Sequence, residues 1–151
     1  MAKRVLLTTL VLTVASAAVA FAAGPLHGKT YKTTTPGTGT NSRNESARIP
    51  SVPMTLKVSG NGKTVTVHFG SSTPILYCTD KQQLQVQSTK PAKISHNGSF
   101  TAKIDERFSP GIGEPAIVQV VTGKFSGATV HGTIRTEAPP CGGTAAFSAK
   151  A

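Results

Sequence analysis

Two cysteines, Cys78 and Cys141, and four histidines, His27, His68, His96 and His131, are the side chains of this 151-residue sequence with the widest chemical repertoire. A thiol nucleophile needs a base beside it, and no Cys-His spacing here supplies one. A structural or catalytic zinc needs three or four ligands at fixed spacing. His68 and His131 fall on the outer faces of two strand-like segments, with no carboxylate or thiolate spaced to join them, so no metal site is expected. Oxidation remains as the chemistry of the two thiols. One bridge between Cys78 and Cys141 is the single possible intramolecular pairing. It would close a loop of about 64 residues and contribute about 4 kcal/mol in the chain-entropy model. That is comparable with the net stability of a small domain.

Other catalytic arrangements are missing. Asp105 and Glu106 are adjacent, so on a strand they point to opposite faces and cannot act on one bond together. Glu114 follows in the same polar stretch, with Arg107 as a charge partner. There is no Gly-x-Ser-x-Gly elbow and no Ser-x-x-Lys signature. The glycine pairs Gly37/Gly39 and Gly111/Gly113 precede no helical pattern, so neither builds a phosphate cradle on a helix N-terminus. The expectation is a protein that is not an enzyme, with no cofactor. Candidate contact residues for a ligand or partner are Phe108 and Arg107, in the loop after Asp105, and Arg43 and Arg48, in a polar loop near the N-terminus. Asn44-Glu45-Ser46 and Asn97-Gly98-Ser99 fit the glycosylation sequon, which matters only on a eukaryotic secretory route.

The elements that would position these residues are strands. After the first two dozen residues no segment repeats apolar positions at helical spacing, whereas short β-branched runs alternate with Gly, Pro, Asn and Ser. Met54, Leu56 and Val58, then Asn61-Gly62, then Val65, Val67 and Phe69 read as a hairpin. Asn97-Gly98 leads into a second, with Phe100, Ala102 and Ile104 facing inward. Strands are further expected over 28–35, centred on Tyr31, over 74–79, around Leu84 and Val86, over 116–125, over 128–135 and over 144–150. The 116–125 run carries valine or isoleucine on both faces and reads as central. Residues 36–50 lack a core face and read as a flexible surface loop, and Pro139–Gly143 reads as a corner. The chain lacks Trp, and Phe69, Phe100, Phe125 and Phe147 all fall on inward faces, so exposed stacking platforms are not expected. The fold class is therefore all-β: an antiparallel meander of about eight or nine strands rolled into a small barrel or sandwich. The C-terminal strand would pair with an early one.

The N-terminus adds a location. Lys3 and Arg4, an almost unbroken apolar run from Val5 to Val19, and small-x-small sites at Ala18-Val19-Ala20 and Ala20-Phe21-Ala22 have the layout of a cleavable signal peptide over 1–22. The remaining single domain, 23–151, is expected outside the cytoplasmic membrane, extracellular or periplasmic, where disulfides form. It should be monomeric and hold no integral membrane span. Loss of Lys3 and Arg4 leaves 14 basic against 6 acidic residues, a formal charge of +8.

Gly98-Ser99-Phe100, Gly123-Lys124-Phe125-Ser126-Gly127, Gly132-Thr133-Ile134-Arg135 and Cys141-Gly142-Gly143-Thr144 with Phe147 and Ala149 form a recognisable series. It resembles a pattern shared by small, uncharacterised exported bacterial β-domain proteins, GSF…GKFSG…GT(I/L)R…C.(S/T)G…(F/W).A. The resemblance covers the C-terminal third. It implies a compact β domain and no particular activity. The expected function is a non-catalytic secreted or envelope-associated binding or structural domain, contacting anionic envelope polymers or a secreted protein. The alternatives are a small-molecule carrier using the barrel interior, or a secreted protease or lysozyme inhibitor.

Overall fold

The structure, a computed structural model, describes residues 24–41, 43–48, 51–70, 88–106, 117–138 and 141–151. It is all-β. The strands are β1 (Thr30–Thr34), β2 (Thr38–Asn41), β3 (Ser46–Arg48), β4 (Pro53–Val58), β5 (Thr64–Phe69), β6 (Ala92–Lys93), β7 (Ser99–Glu106), β8 (Ile117–Ser126), β9 (Thr129–Ala138) and β10 (Cys141–Lys150). They lie in the order β6-β5-β4-β1-β10-β9-β8-β7, with β2 beside β10 and β3 beside β2. All the strand pairings are antiparallel. The ends of this path approach each other where Ile94, next to β6, bridges Phe100 of β7. The result is a nearly closed, barrel-like sheet.

Alternation decides which side chains enter it. In β4 Met54, Leu56 and Val58 are buried, and in β5 Val65, Val67 and Phe69 are, while the residues between them face solvent or the rim. Gly62, with φ +70°, makes the turn between these strands, and its N–H donates to Ser59 O at 2.9 Å. The turn into β7 needs Gly98 at φ +82°, a region that costs any residue with a Cβ.

Inside, the residues stack in rows across neighbouring strands. One row is Phe100, Gly123, Gly132 and Phe147, successive partners on β7, β8, β9 and β10. A Cβ on Gly123 would lie 2.7 Å from a Phe100 ring carbon, and one on Gly132 would lie 2.7 Å from the Phe147 ring. The ring edges therefore occupy the space a side chain would take at the two glycines, and the pair of bare positions makes room for them. The row below holds Phe125, Val130 and Ala149. Phe125 stands 5.3 Å from Phe100 and 5.0 Å from Tyr31 between ring centroids, within the favourable range for aromatic pairs.

Tyr31 closes this end. Its ring is fully buried, and its hydroxyl donates to Gly127 O at 2.5 Å and accepts from Leu26 N–H at 2.8 Å. A buried phenol with both functions satisfied ties residues 24–28 to the turn between β8 and β9. Pro25 and Gly127 form a parallel bridge there.

Four expectations need comment. Residues 36–50 are not simply a loop, because they contain β2 and β3, with β2 paired to Gly143 and Thr144 of β10. Sheet hydrogen bonds from β10 order a segment that has no apolar face of its own. Residues 141–143 are likewise strand and not corner, with Cys141 opposite Ala138 and Gly142 opposite Glu137. The 116–125 run, expected to be central, forms β8, which is second from the end of the strand path, between β9 and β7, although Val120 and Val121 are buried on opposite faces. The strands expected over 74–79 and around Leu84 lie outside the described residues.

Candidate functional site

Arg43 and Arg48 sit on the β2–β3 hairpin, both exposed. The hairpin is braced by one side chain. Asn41 Oδ1 accepts from the N–H groups of Arg43 and Glu45, each at 2.9 Å, and Asn41 Nδ2 donates to Glu45 Oε2 at 2.8 Å. Asn44 takes φ +60°, a region that Asn tolerates better than most residues. Arg107, Phe108 and Cys78 lie outside the described residues. Cys141 begins β10 at the end of the barrel where β1, β5, β7 and β9 finish, and its partnership is not described. His68 and His131 are both exposed, as alternation requires, but β5 and β9 are separated by β4, β1 and β10, so the two rings cannot share a ligand. The His68 Nδ1 lies 2.6 Å from Ser88 Oγ. Among the described residues no cluster of three His, Cys, Asp or Glu is placed to hold a metal, and no helix is long and apolar enough to cross a membrane.

No protein-family model, curated protein or solved structure matches this chain. What the site does has therefore to come from its own chemistry.

The register sorts the charges along the barrel axis. The acidic side chains on described strands and turns are Glu45, Asp105, Glu106 and Glu137, all in the half where β7 and β9 end. The opposite half carries lysines without acidic partners among the described residues. Lys150 of β10 faces Lys32 of β1 directly across the ladder. Lys32 faces Thr55 of β4, and Lys57, two residues along, shares its outer face. Lys57 faces Thr66 of β5, and Thr64, two residues back, faces Lys93 of β6. Lys150, Lys32, Lys57 and Lys93 thus cross five strands as one oblique exposed line. Lys29 and Lys63 lie at the adjoining rim, where Lys29 O accepts from Val58 N–H at 3.0 Å and Lys63 O from Ile94 N–H at 2.8 Å. Lys124 continues the same half on β8, opposite His131. Arg135 is different: it pairs with Glu137 at 2.6 Å and belongs to the mixed-charge half.

A like-charged pair directly opposite on a ladder is unfavourable, so the Lys32–Lys150 arrangement is not explained by stability. The sequence carried a signal for this line, because no acidic residue occurs between Glu45 and Asp80 or after Glu137. The dispersion of lysines along the chain hid it, and only the strand order brings them together.

A second feature lies inside. Gln119 of β8 and Thr136 of β9 are register partners on the inner face, 1% and 3% exposed. Gln119 Nε2 and Thr136 Oγ1 have no hydrogen-bond partner among the described residues. The other two buried polar residues differ: Thr35 Oγ1 accepts from Val52 N–H at 2.8 Å and Thr89 Oγ1 from Val67 N–H at 3.0 Å. Gln119 shares inward parity with Val121 and Phe125, which marks it in the sequence as a long polar side chain on a core face.

Proposed function

We propose that this chain is an exported, non-catalytic binding domain whose lysine line holds an anionic polymer. The observation that carries the reading is the oblique row Lys150–Lys32–Lys57–Lys93, exposed, on strands that bear no acidic residue. A line of ammonium groups on a rigid sheet suits the repeating negative charge of a phosphodiester chain or an acidic polysaccharide. The signal-peptide layout of residues 1–22 supports meeting such polymers outside the cytoplasmic membrane. Binding of this kind releases counterions, so its salt dependence counts contacts.

The test is equilibrium binding of poly(glycerol phosphate) to the protein across a range of salt concentrations. Combined K32Q, K57Q, K93Q and K150Q substitution should reduce the log–log salt slope by about 3, since each contact contributes about 0.7–0.9. R43Q with R48Q should leave the slope unchanged. Absence of binding at every salt concentration removes the reading, as does a slope that the four lysine changes do not alter.

A second reading rests on the braced β2–β3 hairpin, which presents Arg43 from a turn held by Asn41. A secreted protease inhibitor needs such a loop shaped before binding. Trypsin distinguishes it: an inhibitory loop survives prolonged incubation, whereas rapid cleavage after Arg43 or Arg48 excludes it.

A further inference from the structure

The end of the barrel closed by Tyr31 gathers three turns, residues 59–63 between β4 and β5, 94–98 between β6 and β7, and 126–128 between β8 and β9. Residues 24–28 cross it as a floor. Pro25 bridges Gly127 in the β8–β9 turn, and Gly28 N–H donates to Ser59 O in the β4–β5 turn at 3.0 Å. Along the strand path those turns are separated by β1 and β10 one way and by β6 and β7 the other, so the segment spans the opening. Between its two ends Leu26 N–H donates to the buried Tyr31 hydroxyl at 2.8 Å, which pins the floor to the core.

Leu26 lies mid-way along this crossing. It is the one large apolar side chain exposed among the described residues, at 40%. Lysines surround it. Lys29 leads from the floor into β1 and Lys63 leads into β5, while Lys57 of β4, Lys93 of β6, Lys124 of β8 and Lys150 of β10 each stand within two residues of their strand's end at this rim. All six are exposed. No acidic side chain lies in this half among the described residues. An exposed leucine alone needs no explanation. A leucine at the centre of a cationic ring is the arrangement an interfacial protein uses: ammonium groups meet lipid phosphates on flexible stems, at the depth where an aliphatic side chain enters the acyl boundary.

We propose that this end of the barrel docks on an anionic lipid surface, with Leu26 entering the headgroup layer and the lysine ring neutralising phosphates around it. The chain's layout favours a membrane as the occupant. The floor begins at residue 24, so the apolar run Val5–Val19 leads into this face, and on the expected export route it is the part of the barrel next to the membrane. The site shares Lys57, Lys93 and Lys150 with the lysine line. Leu26, Lys29, Lys63 and Lys124 lie outside that line, so the two readings can be separated.

The experiment uses the exported chain and vesicles of equal parts phosphatidylglycerol and phosphatidylcholine. The chain has no Trp, so L26W places a single indole on the floor. Its emission should shift to the blue on these vesicles and be quenched by brominated acyl chains, and should do neither on phosphatidylcholine alone. In co-sedimentation, combined K29Q, K63Q and K124Q substitution should weaken partition about a hundredfold, since each lysine near the surface contributes about fivefold. L26S should weaken it about tenfold while leaving the affinity for poly(glycerol phosphate) unchanged. K103Q, exposed on β7 in the other half, should change neither. Absence of partition into the anionic vesicles overturns the proposal, as does L26W emission that they do not move. So does an L26S chain that partitions as strongly as the unchanged one, because charge alone would then account for the binding. Vesicle docking by a chain that fails to bind poly(glycerol phosphate) would support this site and refute the lysine line alone.

Discussion

The Phe-Gly-Gly-Phe row makes a prediction whose sign, and not only its size, is decided by geometry. Glycine in a strand is entropically unfavourable by about 0.5–1 kcal/mol relative to alanine, so Gly→Ala with free space would stabilise the protein. At Gly132 there is no space. A Cβ would come within 2.7 Å of the Phe147 ring and closer still to Thr122 O, the backbone acceptor of the neighbouring strand. At Gly123 the closest obstacles are Phe100 ring carbons at 2.7 and 2.9 Å, with His131 O at 3.2 Å. Overpacking a core typically costs about 1–3 kcal/mol. A ring can tilt, but a ladder carbonyl cannot move without loosening its strand pair. We therefore expect G132A to lose about 3 kcal/mol and G123A about 1–2 kcal/mol, each net of the entropic gain. The assay is urea unfolding at fixed oxidation state. With m near 1.5 kcal/mol/M, the G132A midpoint falls by about 2 M and the G123A midpoint by about 1 M. The companion change separates the two causes. F100L should recover about 1 kcal/mol in the G123A background, because the obstacle there is a side chain. F147L should recover little with G132A, because the backbone oxygen remains. A neutral or stabilising G132A, or equal rescue in the two backgrounds, would refute the filled-row account.

The other predictions are independent of that row. Y31F leaves Gly127 O without its phenolic donor and Leu26 N–H without its acceptor, and should lose about 1–3 kcal/mol, with limited proteolysis cutting faster near Leu26. K32Q should raise the urea midpoint at low ionic strength by relieving the pairing with Lys150. That gain should vanish near 1 M salt, where the Debye length is about 3 Å. Protein recovered from outside the cell should show no alkylatable thiol, and reduction should remove about 4 kcal/mol of stability if Cys78 and Cys141 are joined. Two freely alkylated thiols would end that expectation.

Much of the barrel was legible because period two is a strong signal where one face is buried. Val65, Val67 and Phe69, or Ala145, Phe147 and Ala149, reveal their inward face from spacing alone, and all six are buried. The four phenylalanines assigned to the interior are there for the same reason. The hairpin of β2 and β3 was not legible, because Thr-Gly-Thr-Asn and Ser-Ala-Arg carry no apolar period. What orders them is the free upper edge of β10, and the only signal of that edge lies a hundred residues away. The start of β10 was misread for a related reason: Pro139-Pro140 and Gly142-Gly143 read as a corner locally, yet β9 supplies a ladder that continues through Gly142 and Gly143.

The lysine line follows the same logic on the outer face. Lys32, Lys57, Lys93 and Lys150 are spread over more than a hundred residues of sequence, and no window of the chain shows them as a cluster. They converge because β1 lies between β4 and β10, an arrangement set by closure of the sheet and not by any of the four strands alone. A rigid sheet holds like charges at ladder spacing against their repulsion. In solution that repulsion is unrelieved at low salt, and on the proposed reading a bound polyanion would relieve it without any change in the fold. The energetic consequence of the proposed binding is a linkage between polymer occupancy and folding stability at these positions. Adding poly(glycerol phosphate) should raise the urea midpoint of the unchanged chain with the logarithm of 1 + [polymer]/Kd, and should leave the midpoint of the four-lysine variant where it was.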